Sequence, residues 1–596
     1  MANKNVDYSL YLVTDSTPAV LGGRDICAVV GQALRGGVTV VQYRDKTSDT
    51  RELVDVATRL HRLTREHNVP LLINDRVDVA LAVGCEGVHL GQDDMSLQDA
   101  RRLLGPDAII GISANNGFEA IRACYAGADY LGVGAIFATP TKANTKSILG
   151  TAGLQYILGM LTRRPACKLV PAVAIGGINH TNVQRVLYQS EVWPFRRLDG
   201  VAVVSAIVAS PDPEAAAREL RRLVRDPPPF ATREGTAEPR DPADILALVP
   251  GVISAMHETT PLSHNMTNLV VQNFSANVAL AVGASPIMSN YGEEAADLAR
   301  LGGALVVNMG TVTPEGIGNY IKAIKAYNLA GRPVVFDPAG AGATAVRRAA
   351  VKAILAAGYL DVIKGNEGEI ATVLDVELES ELRLKGAPPE GGDPQDPQDL
   401  PQQRGVDSGP SARDDAARAL LAVRLARLRR CVVVMTGPTD FVADPARACS
   451  LSHGHVLLSR VTGTGCSLGT VVSAACSVSH PGGDRFVAAI AALLLFTLSA
   501  EVAAGRCQGR GTFVPAFLDV LADCRTSTAE GDTDWLDLAQ LRRHDPEDGS
   551  VVAVNDLPME LDAPEEEGEG EGEGEGKEGG AKEEAMEVVQ AKEEGE

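Results

Sequence analysis

The segment Thr39-Val-Val-Gln-Tyr-Arg-Asp-Lys46 opens apolar and ends charged. With the two-residue period of a strand, Val40, Gln42, Arg44 and Lys46 share one side, so a strand that starts in an apolar interior reaches a cationic end. Seven further runs of this kind surround it, at Ser9–Asp15, Pro70–Asp75, Gly87–Gly91, Ala108–Ser113, Tyr130–Gly134, Val170–Gly176 and Gly200–Ser205. They recur roughly every 20 to 35 residues and alternate with helical patterns such as Arg51–His67 and Pro213–Val224. Eight strand–helix units in about 225 residues predict an N-terminal (β/α)8 TIM barrel.

In such a barrel every strand's carboxyl end opens on one face. Those ends carry Arg44-Asp45-Lys46, Asn74-Asp75, Gln92-Asp93-Asp94, Ser113, Thr139-Pro140-Thr141-Lys142, Gly176-Gly177 and Val204-Ser205, so residues far apart in sequence converge on one pocket. Asp75 and Asp94 end neighbouring strands beside cationic side chains, which suits a Mg²⁺ that bridges diphosphate oxygens. Lys142 and the amides around Gly177 and Ser205 suit a further phosphate.

The 596 residues are 45% hydrophobic and 22% charged, which predicts a large soluble globular protein. The net charge is −22, but Leu561 to Glu596 hold fifteen acidic groups against three lysines and account for −12 of it. No basic stripe of the kind that phosphate-backbone binding needs is present, so nucleic acid is not an expected partner. The ten cysteines show no metal-ligand spacing and read as buried free thiols of a reducing compartment. With neither a presequence pattern nor a run of about 18 uncharged apolar residues, a cytoplasmic protein without a membrane partner is expected.

The motifs Gln42-Tyr-Arg-Asp-Lys46, Asn74-Asp75, Gly87-Val-His-Leu-Gly-Gln-Asp-Asp94, Gly111-Ile-Ser113, Thr139-Pro-Thr-Lys142, Ala174-Ile-Gly-Gly-Ile178 and Val203-Val-Ser205 resemble thiamine-phosphate synthase over about residues 8 to 225. The resemblance implies that Gln42, Tyr43, Arg44, Asp45, Lys46, Asn74 and Ser113 hold an aminopyrimidine diphosphate, with Lys142 on the departing diphosphate. It implies Asp75 and Asp94 as Mg²⁺ ligands, and Thr139, Pro140, Thr141, Gly177, Val204 and Ser205 as contacts of a thiazole phosphate.

Asp226-Pro-Pro-Pro229 closes the last barrel helix, and 229–241 reads as a linker. From Pro242 the buried-strand candidates Pro286–Met288, Ala304–Asn308, Pro333–Asp337, Asp361–Lys364 and Cys431–Thr436 predict an open sheet with helices on both faces. Val461-Thr-Gly-Thr-Gly-Cys466 turns directly into a small-residue helix, a ready place for a transferring phosphoryl group. With His264-Asn-Met-Thr-Asn268, Gly283-Ala-Ser-Pro-Ile-Met288, Asn308-Met-Gly-Thr311, Asp337-Pro-Ala-Gly-Ala-Gly-Ala-Thr344, Lys364-Gly-Asn-Glu-Gly-Glu369 and Thr436-Gly437, it resembles hydroxyethylthiazole kinase, in the ribokinase-like α/β/α class, over 242–530.

This second resemblance implies thiazole alcohol contacts at Met288, Asn268 and Gly463, ATP contacts at Arg347 and Thr436, and Glu369 of the Asn366-x-x-Glu369 pattern near Mg²⁺. Cys466 is placed where the substrate hydroxyl loses its proton; a helix-start thiol should have a lowered pKa and act as base, or else only shape the pocket. Residues 385–413 read as a disordered insertion, and 531–596 as a C-terminal extension with a disordered acidic tail from about 564. The kinase's product is a synthase substrate, so the chain resembles the fungal-type bifunctional thiamine biosynthesis enzymes. That implies ATP as co-substrate, Mg²⁺, and a trimer or hexamer. A pathway sensor or scaffold with one inactive site is the alternative reading, and a kinase for another alcohol joined to a different barrel synthase is a third.

Overall fold

The computed structural model describes residues 5–139, 148–192, 195–230, 241–384, 413–479 and 483–552. They lie in one compact unit that ends at Ala553. Linker residues 231–240, insertion residues 385–412 and the acidic tail fall outside the described residues.

Strands β1 (Leu10–Val13), β2 (Val40–Tyr43), β3 (Leu71–Asn74), β4 (Gly87–Leu90), β5 (Ile109–Ala114), β6 (Tyr130–Gly134), β7 (Ala172–Ile175) and β8 (Gly200–Val203) close into a parallel barrel, each overlapping its predicted run. Alternation sorts their side chains: Val41, Tyr43, Leu71 and Ile73 pack under the helices, while Tyr11, Val40, Leu72 and Val173 fill the interior. That interior is less apolar than expected. Tyr11, Gln42, His89 and Tyr130 are buried in it and joined to one another by hydrogen bonds.

The remaining strands are β9 (Leu262–Met266), β10 (Ser285–Ile287), β11 (Ala304–Asn308), β12 (Val334–Asp337), β13 (Val362–Asn366), β14 (Val432–Thr436), β15 (Asp440–Ala443), β16 (Ala448–Leu451) and β17 (Arg542–His544). They form one sheet in the order β10-β9-β11-β12-β13-β14-β15-β16-β17, parallel as far as β14 and antiparallel beyond. Val306, Val335, Val362 and Val434 face one helical layer; Val307, Phe336, Ile363 and Val433 face the other. This is the expected three-layer α/β/α arrangement.

Four strands of this sheet escaped the sequence reading: β9, β15, β16 and β17. β9 is too polar to look buried, yet Ser263 pairs with Ser473 (2.7 Å) and Asn265 accepts from Thr470 (2.7 Å) inside the core. β17 lies in the stretch assigned to the C-terminal extension, but it pairs with β16, and its buried His544 meets Ser450 at 2.8 Å. The Arg485–Arg506 helix is long and apolar enough, by length and composition, to cross a membrane, although its uncharged run, 486–500, stays short of 18 residues. Its apolar window is 89% buried, packed between the 464–478 and 510–529 helices, so core enclosure on all sides explains its composition.

Barrel and sheet meet through polar groups at helix ends, where the last carbonyls lack partners within the helix. Arg185 donates to the carbonyls of Leu355 and Ala356, both at 2.7 Å, at the end of the 345–357 helix. Gln189 donates to the Arg429 carbonyl at 2.9 Å, and Arg430 pairs with Glu191 while its guanidinium covers the Tyr188 ring at 4.1 Å. Phe230, read as linker, is buried here instead, stacked on Tyr359 with ring centres 4.5 Å apart. Arg185→Ala is expected to strand two carbonyls and Gln189, costing about 3 kcal/mol. Urea unfolding should then split into separate barrel and sheet transitions. An unaltered unfolding curve would mean that this contact contributes no stability.

Candidate active sites

A cavity of about 1450 Å³ opens at the carboxyl ends of the barrel strands. Gln42, Arg44 and Lys46 reach it from the β2 end, Asn74 and Asp75 from β3, Asp94 from the loop after β4, and Ser113 from β5. Lys46 Nζ lies 3.2 Å from Asp75 Oδ2, and Arg44 is held by Asp15 at 3.1 Å. Asp75 adopts a left-handed backbone, φ 63°, kept in place by its N–H on the His89 carbonyl. Such strain in a non-glycine residue persists only where its surroundings enforce it.

Asp94 accepts from the Gly91 N–H at 2.6 Å and lies within hydrogen-bonding reach of Asp75. Burial, and then the neighbouring Asp75 carboxyl, push its pKa up. Two crowded carboxylates beside one lysine form a hard-oxygen set that a divalent cation would relieve. Among the described residues no third His, Cys, Asp or Glu joins a metal-type cluster, so a cation here would draw its other ligands from water and bound diphosphate, a donor set that fits Mg²⁺.

Thr139, Gly177, Val204 and Ser205 line the same cavity, while Pro140, Thr141 and Lys142 lie outside the described residues. Gly177 has φ 66°, and a Cβ there would sit 2.7 Å from Phe137 Cβ, so only glycine allows the β7 loop this close to the loop after β6. Two residues of the predicted set are elsewhere. Tyr43 is buried under the helices, and Asp45 accepts from Thr47 and Ser48, because alternation along β2 turns both away from the mouth.

In the sheet, β10 and β11 leave β9 on opposite sides, which makes the crevice at the ends of β9 and β11 a topological switch point. Asn268 Nδ2 meets Asn308 Oδ1 at 3.3 Å across it. Below lies a buried charge cluster: Lys364 Nζ is 3.2 Å from Asp337 Oδ2 and donates to the Gly465 carbonyl at 2.8 Å, while Asn308 donates to Asp337 at 2.9 Å. Burial opposes the Lys364 ammonium, yet Asp337, Cys466 and Glu369 together outweigh it and raise its pKa. Gly463, at φ 96°, caps the 464–478 helix, and Cys466 sits in that helix's first turn.

The Cys466 thiol does not behave as expected. Burial, then the Asp337 charge, push it up to about 11, overriding the lowering from Lys364 and a hydrogen-bonding contact with Asn308. Glu369 accepts the Gly340 N–H at 2.7 Å and the Asn366 N–H at 2.8 Å, and burial with the Asp337 charge raises it to about 7. Arg347, expected at ATP, donates to the carbonyls of Met309, Ala339 and Gly310 at 2.7–2.9 Å and ties together the loops after β11 and β12. Thr436 ends β14 opposite Asn366, and Met288 follows β10, half-buried at the sheet edge.

Residues 10–207 match the thiamine monophosphate synthase family model, and 253–386 with 398–526 match the hydroxyethylthiazole kinase family model. The probable thiamine biosynthetic bifunctional enzyme of Schizosaccharomyces pombe is 41% identical over 91% of this chain and 99% of its own length. The chain belongs to the family of thiamine biosynthetic bifunctional enzymes. The Saccharomyces cerevisiae member is 36% identical over 87% of this chain and 95% of its own. The thiamine-phosphate synthase of Chloroflexus aurantiacus is 49% identical over 37% of this chain and 94% of its own.

The bifunctional enzyme thus carries a thiamine-phosphate synthase in its barrel half and a hydroxyethylthiazole kinase in its sheet half. Sequence reading missed Asp337, Lys364 and Asn308 as site residues although each stands inside a quoted motif, and it missed Tyr11, which no motif contains. It also missed Asp440, whose buried carboxyl accepts the Gly437 N–H at 2.9 Å and is raised to about 7 by burial.

Glu369 binds its proton more tightly in the fold than in the unfolded chain, so between about pH 4.5 and 7 the folded state holds the extra proton. Stability contributed by this group is therefore lost as pH rises through that window. Glu369→Gln is expected to flatten the decline, followed as thermal midpoint against pH. A profile identical to wild type would reject the assignment.

Proposed function

We propose that the sheet half phosphorylates 4-methyl-5-(2-hydroxyethyl)thiazole with ATP, and that the barrel joins the product to 4-amino-2-methyl-5-(diphosphooxymethyl)pyrimidine, giving thiamine phosphate and diphosphate. The observation that carries this reading is the presence, in one compact unit, of two separate polar sites at strand carboxyl ends, one cationic with paired carboxylates and one at a glycine-capped helix start.

In the barrel, Gln42, Asn74 and Ser113 orient the pyrimidine while Arg44 and Lys46 receive the charge that grows on the leaving diphosphate. The bond between methylene carbon and oxygen breaks with its electron pair on the diphosphate, and the thiazole nitrogen bonds to the carbon. Thr139, Gly177, Val204 and Ser205 seat the thiazole phosphate; of the residues outside the described ones, the resemblance assigns Thr141 to the same phosphate and Lys142 to the departing diphosphate. Mg²⁺ held by Asp75 and Asp94 would neutralise diphosphate charge. The apolar walls keep water from the carbon centre.

In the sheet half, Gly463 and the helix start beyond it receive the transferring phosphoryl group, and Lys364 supplies buried positive charge. Asn268 and Met288 flank the alcohol, Thr436 and the Arg347-tied loops border the nucleotide, and Glu369 stands on the phosphate and Mg²⁺ side. The thiol of Cys466 meets the substrate hydroxyl. Its raised pKa favours contact over prior deprotonation, and a loose phosphoryl transfer asks little of a base, because the hydroxyl proton leaves as the new P–O bond forms. A cytoplasmic homo-oligomer, trimer or hexamer, and a division into synthase (1–228) and kinase (242–530) complete the proposal.

The test incubates the full chain with Mg²⁺-ATP, hydroxyethylthiazole and the pyrimidine diphosphate and follows products by mass spectrometry. Wild type is expected to form thiamine phosphate. Asp94→Ala should accumulate thiazole phosphate, with synthase turnover down at least about 100-fold. Cys466→Ala should lose about tenfold in kinase rate, the worth of one hydrogen-bonding contact, and thiamine phosphate formation should recover fully when thiazole phosphate is supplied. A wild type that makes no thiamine phosphate from supplied thiazole phosphate, while binding both ligands, would replace this reading with that of a sensor.

A further inference from the structure

The barrel cavity's floor holds a chain of hydrogen bonds whose inner members have no role in the reaction described above. Gln42 Nε2 lies 2.7 Å from Tyr11 OH, Tyr11 OH lies 2.7 Å from Tyr130 OH, Tyr130 OH lies 2.8 Å from His89 Nδ1, and His89 Nε2 lies 2.9 Å from Ser113 Oγ. Burial holds both phenols above the usual tyrosine range, so each keeps its single hydrogen.

Donor and acceptor capacities then fix the direction of the chain. An amide nitrogen can only donate, so Tyr11 accepts from Gln42, and in this buried chain its own hydrogen finds its partner on Tyr130. Tyr130 in turn donates to His89 Nδ1. With Nδ1 accepting, the imidazole carries its hydrogen on Nε2 and donates to Ser113 Oγ. Two consequences reach the cavity. Ser113 keeps its own hydroxyl hydrogen for a ligand. The amide oxygen of Gln42 has no hydrogen-bond partner among the described residues and is not among the sealed, partnerless buried atoms, so it too faces the cavity.

We propose that Tyr11, Tyr130 and His89 are positioning residues that hold Gln42 as an acceptor and Ser113 as a donor, so that the synthase pocket selects a pyrimidine edge with an amino group beside a bare ring nitrogen. This rests on the synthase reading given above. A 4-amino group with unprotonated N3 offers the matching donor and acceptor. The 4-oxo isostere, with hydrogen on N3, offers the reverse and would set acceptor against acceptor and donor against donor. Without the chain, the Gln42 amide is free to turn over and the Ser113 hydroxyl to rotate, and both patterns would then be tolerated.

The experiment measures kcat and KM on the full chain for the 4-amino and 4-oxo pyrimidine diphosphates, with thiazole phosphate supplied. Wild type should favour the amino form by at least about 100-fold in kcat/KM. Tyr130→Phe keeps the packing ring but cuts the chain on both sides. The preference should fall at least about tenfold, mainly through KM, while the kinase rate of the same chain stays unchanged. Tyr11→Phe should act in the same direction, and it carries the test if Tyr130→Phe loses kinase activity as well and so fails to fold. A preference preserved in folded variants, even with both substrates slowed equally, overturns the inference and leaves the synthase reading intact. A wild type that turns over neither pyrimidine diphosphate overturns the synthase reading itself.

Discussion

Parallel strands must all end on the same side, and both halves of this enzyme depend on that constraint. In the barrel it gathers Arg44, Asn74, Asp75 and Ser113 from three strand ends at one mouth. In the open sheet it brings Asn308, Asp337 and Asn366 to one rim, where the divergence of β10 and β11 from β9 leaves a crevice. No local propensity could assemble either set, because their members come from separate strands tens of residues apart. Hydrogen-bonded register does so as a by-product of closing the sheet.

Both sites are held under electrostatic tension that binding would relieve. Asp75 and Asp94 crowd each other with one exposed lysine between them and solvent, and Glu369 shares a buried pocket with Asp337 and Lys364. Like charges at such range cost the unliganded fold stability. The same groups, once a cation is present, have the charge they lack. The raised thiol of Cys466 belongs to this pattern: it adds no further negative charge to a site that already holds two carboxyl groups.

The union of the halves rests on polar contacts as much as on apolar ones. Arg185 and Arg429 both reach the Leu355 carbonyl, and Arg485 joins Asp361 of the sheet to the carbonyl of Phe230 at the end of the barrel segment. Such groups satisfy carbonyls that a helix end leaves open, and each becomes costly if its partner is withdrawn. The contact therefore fixes the two halves in one compact unit.

The amino-acid sequence by itself determined the class of both halves and most of the residues at their mouths. Runs such as Thr39 to Lys46 carry their burial pattern and their polar end in consecutive residues, and the motifs around Asp75, Gly177 and Cys466 are likewise local. Only the tertiary structure decided which members of a motif face the site: Tyr43 and Asp45 do not, and Arg347 braces the loops after β11 and β12. It alone revealed β9, whose polar residues look exposed until Ser473 and Thr470 come to meet them, and β17, which has no strand partner nearby in sequence. The Gln42–Tyr11–Tyr130–His89–Ser113 chain is the clearest case. Its members come from five different strands, and what they do follows from the direction of hydrogen bonds that exist only once the barrel has closed.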